Sequence, residues 1–469
     1  MPAWFLGEGR RVSNEITRSA LINFRRYKGK GVKEFLLALV LCLLISANCA
    51  YGDHQSHFPS SDRRGVPAVS SDTFLTSLGV NSHVDQGYDP SSYIAPLRYL
   101  GVRNIRDGRR NLSSLIMLHE QTGILVDLLG ADVSGLMTAA RSLAQANALL
   151  SIEGPNEPNN FPVTYNGQNG GGTSGSWLQV ALLQKDLYSA VKNDPELKRY
   201  PVFHVSEGGA ETDNVGLQFL TVPGGAETLL PEGTRFADYA NAHNYVSGIR
   251  IGFVDNQAWQ AADPTLNGYW DGLYKEYGRT WKRHFRGYPD VDLLDLPRVT
   301  TETGWDAPTL EKERTQGTVL VNTYLAQFKR GWRYTFIYEL GESEGGGGHQ
   351  GLFHQDWTPK LAATYIHNLT SILADNVAVD RPGKLDYTIA DKPSTVHDLL
   401  LQKSDGVFEL VVWGEQVAGT NDISITLGCS RATVKIYDTT IGTAPIQILS
   451  NASIVPLTVG DHAVIAEIE

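Results

Sequence analysis

The chain of 469 residues contains only three cysteines, and two of them, Cys42 and Cys49, lie among the first 52 residues. If that segment is removed on export, Cys429 remains alone and no internal disulfide can form. An exported domain without disulfides must be held together by a large core and by hydrogen bonds. A small disulfide-stapled scaffold is therefore excluded, and the scarcity of cysteine is typical of a bacterial envelope or secreted protein.

The chain also lacks an apolar run long enough to span a bilayer. The run Phe35–Ile45 is shorter than the ~20 residues that a membrane helix needs. Basic residues precede this run and small residues follow it, up to Gly52. That order is typical of a secretory signal, so we expect a leader over residues 1–52 that is cleaved or is retained as an anchor. The expected location is secreted, periplasmic or in the cell envelope.

A basic surface is missing as well. The chain has 40 Lys and Arg against 51 Asp and Glu, a net charge of −11. Without the eight basic and three acidic residues of the leader, 32 basic and 48 acidic residues remain. Such a surface repels nucleic acid and anionic lipid. We expect neither as a partner, and contact with a membrane only through the export signal.

A repeated alternation of short apolar runs and longer segments extends from about Phe74 to Thr370. Several of the longer segments have a helical pattern, and each run ends in polar or charged residues. The runs are Leu78–Val84, Val102–Arg106, Ile124–Leu129, Leu149–Ile152, Val202–Ser206, Tyr239–Tyr245, Arg298–Thr301 and Tyr334–Tyr338. Eight runs over roughly 300 residues match the count and length of a (β/α)₈ TIM barrel, an α/β fold.

The pattern changes after Thr370, where strand-like runs are separated by Gly and Asp turns without any helical segment. This region is predicted to be a small all-β domain, an antiparallel sandwich. The expected organisation is a leader over 1–52, an N-terminal linker over 53–73, a catalytic barrel over 74–375 and a β-sandwich over 376–469.

The turn after the fourth run carries an unusual carboxylate. Asn156 and Glu157 stand between Pro155 and Pro158. Each proline fixes its own φ and moves the preceding residue out of helical geometry. A carboxylate on a stiff turn just past a buried strand is placed as a catalytic group would be.

Polar side chains follow the other runs too. They are His83, Asp85, Arg106, Glu207, His243, Tyr245, Glu302, Trp305, Tyr338 and Glu339. Catalytic residues of barrels lie at the strand ends, so we expect these side chains at one mouth. Glu157 and Glu302 follow the fourth and seventh runs and would face each other across it. Two facing carboxyl groups are the minimum equipment for glycoside hydrolysis.

In these elements the chain resembles clan A of the retaining glycoside hydrolases, (β/α)₈ enzymes that include glycoside hydrolase family 39. The matching elements are Asn156-Glu157-Pro158, Glu302, Arg106, His243-Asn244-Tyr245 and Trp357-Thr358-Pro359-Lys360, together with the trailing β-sandwich. The resemblance implies that Glu157 is the acid/base and Glu302 the nucleophile. The chain departs from it at the end of the eighth run, where many members have Trp and this chain has Tyr338 and Glu339.

The resemblance implies an exported retaining glycosidase that cleaves O-glycosidic bonds of an oligo- or polysaccharide and uses no metal or other cofactor. Glu157 should then have a raised pKa, while Arg106 and Tyr245 keep Glu302 ionised. Asn156 would donate to a sugar hydroxyl. Rings suited to stacking on a sugar are Trp177, Trp305 and Trp357. The remaining candidates, His83, Asp85, Glu207 and Glu339, are predicted to bind substrate or to support the site.

Two other functions remain open. One is a carbohydrate-binding barrel without turnover, because a fold does not guarantee chemistry. The other is a metal-dependent amidohydrolase-type barrel, suggested by His83, Asp85, His204 and His243 but lacking the remaining ligands of such a site. Glu153 is interpreted as a structural partner, and His204 as a hydrogen-bonded core histidine.

Overall fold

A computed structural model describes residues 65–172, 176–206, 220–246, 296–342, 344, 348–416 and 418–469. The expected leader and residues 53–64 lie outside this part of the chain. Within it, no helix combines the length and the apolar character needed to cross a membrane.

The strands of the described chain divide between the barrel, a hairpin and the C-terminal domain. In chain order they are β1 (Val66–Pro67), β2 (Val69–Ser70), β3 (Leu78–Asn81), β4 (Asn104–Gly108), β5 (Leu125–Leu129), β6 (Leu149–Glu153), β7 (Val163–Tyr165), β8 (Gln168–Gly170), β9 (Val202–Phe203), β10 (Ala240–His243), β11 (Arg298–Thr303), β12 (Trp332–Ile337), β13 (Lys384–Leu385), β14 (Tyr387–Ile389), β15 (Val396–Gln402), β16 (Phe408–Gly414), β17 (Asn421–Asp438), β18 (Gln447–Val459) and β19 (Ala463–Ile468). The helices are α1 (Ser71–Thr76), α2 (Ser91–Leu100), α3 (Leu112–Thr122), α4 (Val133–Gln145), α5 (Leu178–Asn193), α6 (Leu310–Lys329) and α7 (Leu361–Ile372).

The eight apolar runs form one parallel sheet in the order β10-β11-β12-β3-β4-β5-β6-β9. A further parallel bridge joins Phe203 of β9 to Tyr239, the residue before β10, and so brings the two edges of the sheet together. The (β/α)₈ prediction is therefore confirmed. Because parallel strands of a barrel end on the same face, the polar residues after β3, β4, β6, β10, β11 and β12 surround one mouth.

Helices α4, α5 and α6 are the connectors that the sequence pattern predicts. In α4 the buried residues include Leu136, Ala140 and Leu143, which follow the spacing of one helix face. Helix α6 starts at a Thr309 cap whose side chain accepts a hydrogen bond from the Lys312 N–H. Its residues are buried almost all round, since it lies between the barrel and the C-terminal domain.

The C-terminal domain contains two β layers joined by the long hairpin of β17 and β18. The first half of β17 pairs with β14 and the second half with β19. Its pairing with β18 has a register shift between Thr426 and Arg431. The two strands expected around 423–427 and 432–437 are thus halves of one strand. The antiparallel β-domain is confirmed. Strand β18 was not predicted, because its sequence contains a polar run and Pro456.

Residues of the expected linker belong to this domain in the structure. Val69 and Ser70 pair in parallel with β15, and β1 pairs with β13. The segment 53–73 is therefore not a free linker over these residues, because its backbone hydrogen bonds are made to the sheet. Tertiary pairing of this kind has no local signal in two-residue strands.

The sheet of β15, β16 and β19 is buried on both faces. Leu410 and Val412 belong to the core between the layers, whereas Val411 and Trp413 belong to the core shared with the barrel. This alternation is the two-residue period of a strand. The Asn322 side chain of α6 also donates to the Gly414 carbonyl. Apolar burial and hydrogen bonds thus join the C-terminal domain to the barrel.

Candidate active site

The turn that carries Glu157 holds this residue in an unusual backbone conformation. Glu157 has a φ of 38°, in the left-handed region that non-glycine residues rarely adopt. Its carbonyl accepts hydrogen bonds from the N–H groups of Asn160 and Phe161, at 2.8 and 2.7 Å. Strain of this kind persists where the surroundings impose it, and it is common at functional sites.

Glu157 and Glu302 face each other with His243 between them. The His243 Nδ1 lies 2.7 Å from Glu157 Oε1 and 2.8 Å from Glu302 Oε2. One oxygen of each carboxyl group and one histidine nitrogen lie within 4.8 Å of one another. The Nε2 atom of the same ring is 3.1 Å from the hydroxyl of Thr301. The structure therefore brings together the two carboxylates predicted to be catalytic and one predicted supporting residue.

The electrostatics of this triad differ from the expectation. Burial lowers the pKa of His243, but the Glu302 charge and the hydrogen bonds to both carboxylates outweigh it and raise this pKa to about 9. Burial alone would raise the pKa of Glu157, yet the hydrogen bond and charge of His243 lower it below its usual value. The raised pKa expected for Glu157 is thus wrong, because the imidazolium stabilises the carboxylate.

Arg106 organises the floor of the mouth. Its guanidinium donates two hydrogen bonds of 2.8 Å to Glu153 and one of 2.7 Å to Asn156 Oδ1. A longer contact of 3.4 Å reaches Glu302. Glu153 is thus the structural partner that the sequence suggested, while the bond from Arg106 to Glu302 is the weakest of the set.

A buried carboxylate next to this pair was missed by the sequence analysis. Burial and the charge of Glu153 raise the pKa of Asp127 well above its usual value. For Glu153, burial acts in the same direction, but Arg106 outweighs it and lowers the pKa. Asp127 is the central residue of β5, and its only sequence signal was a charge inside an apolar run.

Asn81 and Thr301 were also missed. The Asn81 side chain accepts from Arg106 at 3.1 Å and donates to the Thr301 carbonyl at 3.1 Å. The Thr301 hydroxyl donates to Glu153 at 3.3 Å. These polar residues sit on β3 and β11, and their presence inside strand runs was the signal available for finding them.

A second group of predicted residues lies at the ends of β12 and β3. Glu339 is fully buried. Burial, followed by the charge of Glu344, raises the pKa of Glu339 to about 9, although a hydrogen bond with the Tyr338 side chain opposes this. The His83 Nδ1 lies 3.7 Å from Glu339 Oε2 and has no hydrogen-bond partner among the described residues.

The tyrosines predicted at the mouth lie beside these residues. The Tyr338 ring makes edge contacts with His83 and Tyr245, at centroid distances of 5.4 and 6.2 Å. The peptide bond between Tyr338 and Glu339 is cis. Burial, then the charges of Glu302 and Glu157, raise the pKa of Tyr245 well above its usual value. Tyr245 is therefore a neutral hydroxyl beside the carboxylates.

Asp85 lies at the edge of the mouth against the end of β4. Its N–H donates to Asp107, which also accepts from Ser82 and from the N–H of Val84. Asp107 is buried, and burial raises its pKa to about 6 although the Ser82 hydrogen bond opposes this. Asp107 thus ties the segment that carries His83 and Asp85 to β4.

The tryptophans are distributed differently from the expectation. Trp305 and Trp177 are 7% and 8% exposed and pack within the hydrophobic core. Most of each of these two rings is therefore covered by protein. Trp357 is half-buried and lines a cavity beside the mouth. Glu207 lies outside the described residues.

The residues that suggested an amidohydrolase do not meet in one group. Among the described residues, Glu157, His243 and Glu302 form the cluster of possible metal ligands. His83 is paired with Glu339 instead, and His204 is fully buried on its own. Burial lowers the pKa of His204 to about 3, although a hydrogen bond with the backbone of Val205 opposes this effect. His204 is thus a buried core residue.

No protein-family model matches the chain, and no curated protein matches it in sequence. Solved structures do match it. A family 39 glycoside hydrolase from Bacteroides cellulosilyticus WH2 is 17% identical, with 86% of this chain and 83% of that chain covered and a TM-score of 0.54. A family 30 subfamily 8 xylanase from Clostridium acetobutylicum is 10% identical, with coverages of 86% and 97% and a TM-score of 0.51.

A family 51 arabinofuranosidase from Xanthomonas axonopodis pv. citri is 12% identical, with 87% of this chain and 98% of that chain covered and a TM-score of 0.51. At such identities the similarity establishes the fold. The chain therefore has the barrel-plus-β-domain fold of glycoside hydrolases, the group that its motifs resemble.

Proposed function

We propose that the chain is a retaining glycoside hydrolase that cleaves O-glycosidic bonds of an oligo- or polysaccharide. The observation that carries the proposal is the approach of Glu157 and Glu302, whose nearest oxygens lie within 4.8 Å across the barrel mouth. Carboxyl groups about 5–5.5 Å apart are typical of retaining enzymes, whereas inverting enzymes separate them by roughly 6.5–9.5 Å. The folds shared with a xylanase and an arabinofuranosidase support the same chemistry.

The proposed reaction has two displacements. Glu302 attacks the anomeric carbon, and the glycosidic oxygen leaves with a proton from Glu157. Glu157, now a carboxylate, then takes a proton from water, and the resulting hydroxide displaces Glu302 from the sugar. Two inversions at the same carbon give retention of configuration.

The proton that Glu157 must donate is present in the triad. Two states of the triad contain the same number of protons. In one, a charged His243 lies between two carboxylates, and in the other a neutral His243 lies beside a protonated Glu157. Transfer across the 2.7 Å contact interconverts the two states without uptake of a proton from solvent. The three groups therefore titrate as one coupled unit. Substrate that displaces water would favour the uncharged pair of His243 and Glu157.

The surrounding residues have supporting roles in this proposal. Arg106 contacts Glu302 at 3.4 Å and fixes Asn156 by its oxygen, which leaves the Asn156 amide nitrogen to donate to a sugar hydroxyl. The His83 Nδ1 is a buried polar atom without a hydrogen-bond partner among the described residues, and a sugar hydroxyl group would satisfy it. Glu339 supports His83 from the buried side. Asp85 supports this edge of the mouth.

The location and the partners follow from the same proposal. A leader over residues 1–52 would export the protein to the periplasm, the envelope or the medium, where a polysaccharide is accessible. We keep the domain organisation predicted from the sequence, with the barrel over 74–375 and the β-domain over 376–469. Residues 66–70 are added to the β-domain.

The proposal is tested by incubating the purified protein with a panel of aryl glycosides and following the anomeric configuration of the first product by NMR. Hydrolysis with retention is expected. Binding of oligosaccharides without any turnover would favour a carbohydrate-binding barrel instead. Hydrolysis with inversion would contradict the assignment of Glu302 as nucleophile.

A further inference from the structure

A cavity of about 300 Å³ lies beside the mouth, between the segments that follow β3 and β12. This volume is at the lower end of the roughly 300–1,000 Å³ of small-molecule sites. Its lining includes Tyr88, Asp89, Glu342, Glu344 and Trp357. The triad of Glu157, His243 and Glu302 takes no part in this lining, so the cavity needs an explanation of its own.

The cavity adjoins the proposed catalytic centre through Glu344. The Oε2 atom of Glu344 is 3.9 Å from the His83 Nδ1, which in turn is 3.7 Å from Glu339. Glu339 is close enough to Glu302 for the charge of one to affect the other. Glu344, His83 and Glu339 are thus buried polar groups that lie between the cavity and the proposed nucleophile.

The position of the cavity determines which part of a substrate it would meet. Its walls follow β12 and β3. In the order of the sheet, β12 is the neighbour of β11, which carries Glu302. Two strands, β4 and β5, separate β3 from β6, the strand that precedes Glu157. Glu157 protonates the oxygen of the leaving group in the proposed mechanism, so the leaving group departs on the Glu157 side. The cavity therefore lies on the side of the sugar that is retained.

The lining combines aromatic rings with hydrogen-bond acceptors, as sugar sites do. The Tyr88 side chain is 39% exposed. The Trp357 ring is held by an edge contact with Tyr93, whose hydroxyl donates to Glu344 at 2.8 Å. A Cβ atom at Gly341 would come within 2.9 Å of both Trp357 and Glu344, so glycine there allows these two side chains to meet.

The charge of the lining selects among sugars. Asp89, Glu342 and Glu344 contribute three carboxylates. Glu342 is paired with the buried Lys360 and lies 2.7 Å from His349, so the acidic groups of the lining outnumber the lysine that balances them. A uronic acid or a sulfated sugar would be repelled by this surface. An uncharged ring, with hydroxyl groups that donate to carboxylates, fits its chemistry.

We infer that this cavity is a subsite for a second, uncharged sugar unit on the retained side of the cleaved bond. The enzyme would then recognise at least two consecutive sugars before that bond. The inference rests on the proposed function, since it assigns the retained side from the role of Glu157.

The test compares matched 4-nitrophenyl glycosides: β-glucoside with β-cellobioside, β-xyloside with β-xylobioside, and β-mannoside with β-mannobioside. For the pair that is hydrolysed, we expect kcat/KM to be at least about tenfold higher for the disaccharide. Tyr88→Ala should remove most of this preference and leave kcat/KM for the monosaccharide within about twofold. Ile441→Ala, which truncates an exposed side chain of the C-terminal domain, is the control and should retain the preference.

The outcomes separate the subsite from the proposed function. Equal kcat/KM for the two members of each hydrolysed pair, or equal losses on both in Tyr88→Ala, would overturn the subsite while leaving a glycosidase. If neither member of any pair is hydrolysed, the wider panel of aryl glycosides decides the proposed function, and calorimetric titration with cellobiose, xylobiose and mannobiose decides the subsite. Binding that is weakened by Tyr88→Ala would support it, and absence of binding would overturn it. A higher kcat/KM for a disaccharide whose distal unit is a uronic acid would overturn the charge argument.

Discussion

His243 Nδ1 lies 2.7 Å from Glu157 Oε1, and this contact determines the charge of the proposed acid/base. Because the imidazole also touches Glu302 at 2.8 Å, the three groups form one coupled unit. The protonation of the centre is therefore set by the triad as a whole. This coupling has measurable consequences for activity and for stability.

The pH dependence of activity should show the loss of this proton. With the pKa of His243 raised to about 9 by its two carboxylates despite burial, the triad keeps its proton below that pH and loses it above. We expect kcat/KM on the best aryl glycoside to fall as pH rises through about 9. His243→Gln should move this alkaline limb. An identical limb in the variant would show that another group titrates.

The raised pKa of His243 also predicts that the stability of the fold changes with pH. A histidine whose pKa is about 6.5 in the unfolded chain and about 9 in the folded one stabilises the fold fully below 6.5 and loses this effect as pH rises through 9. The free energy of unfolding, from urea titrations at pH 6 and 9.5, should fall more in the wild type than in His243→Gln. His462 should leave part of the dependence in the variant, because hydrogen bonds to Asp438 and Asp461 outweigh its burial and raise its pKa to about 9 as well.

The two carboxylates should respond differently to removal. Glu302→Ala should abolish turnover of every substrate, since no covalent intermediate can form. Glu157→Ala should lower kcat by roughly 10²–10⁴-fold for poor leaving groups and much less for activated aryl glycosides. Azide should restore the rate of Glu157→Ala, and the product should be a glycosyl azide of retained configuration. An unchanged rate in Glu302→Ala would contradict the nucleophile assignment.

Glu153 should matter for stability through its buried pair with Arg106. Replacing one partner leaves the other charge buried and unpaired, so Glu153→Ala should cost about 3–5 kcal/mol in the free energy of unfolding. Asp132→Ala is the matched control, because it breaks an exposed pair with Arg109 and should cost at most about 1 kcal/mol. Equal losses in urea titrations of the two variants would show that the buried pair has no special role.

Gly304 should not tolerate a side chain. A Cβ atom there would lie 2.4 Å from the backbone oxygen of Tyr338, which cannot move independently. Gly304→Ala should destabilise the protein by about 1–3 kcal/mol and lower kcat by displacing the end of β11. Gly442→Ala meets no atom within 4 Å and should change the thermal midpoint little. A Gly304→Ala variant with the stability and kcat of the wild type would contradict this packing.

Metal should not be required for activity. His243 already supplies the positive charge between Glu157 and Glu302 that an ion would provide. Dialysis against EDTA should leave kcat/KM unchanged. Loss of activity that Zn²⁺ or Ca²⁺ restores would favour a metal-dependent hydrolase.

Much of the site was predictable because its signals are local. Each strand ends in polar residues after a short apolar run, so the order of Arg106, Glu157, His243 and Glu302 around a barrel follows from the run count. The position of Glu157 after the fourth strand and of Glu302 after the seventh already places them on opposite sides of the mouth.

The remaining features depend on residues that are distant in sequence. Glu153 accepts two hydrogen bonds of 2.8 Å from Arg106, whereas Glu302, which the sequence suggested as its partner, lies 3.4 Å away. Trp305 is buried while Trp357 lines a cavity, because burial depends on which segments pack above each ring. The hydrophobic periodicity of the sequence does not indicate which distant residues come into contact.

The amino-acid sequence by itself thus determined the barrel, the β-domain and the two facing glutamates, since apolar period and strand count are properties of the chain. Only the tertiary structure decided that His243 bridges Glu157 and Glu302 and lowers the pKa of Glu157. The physical reason is that a pKa depends on charge and burial within a few ångströms, and those neighbours come from different strands of the barrel.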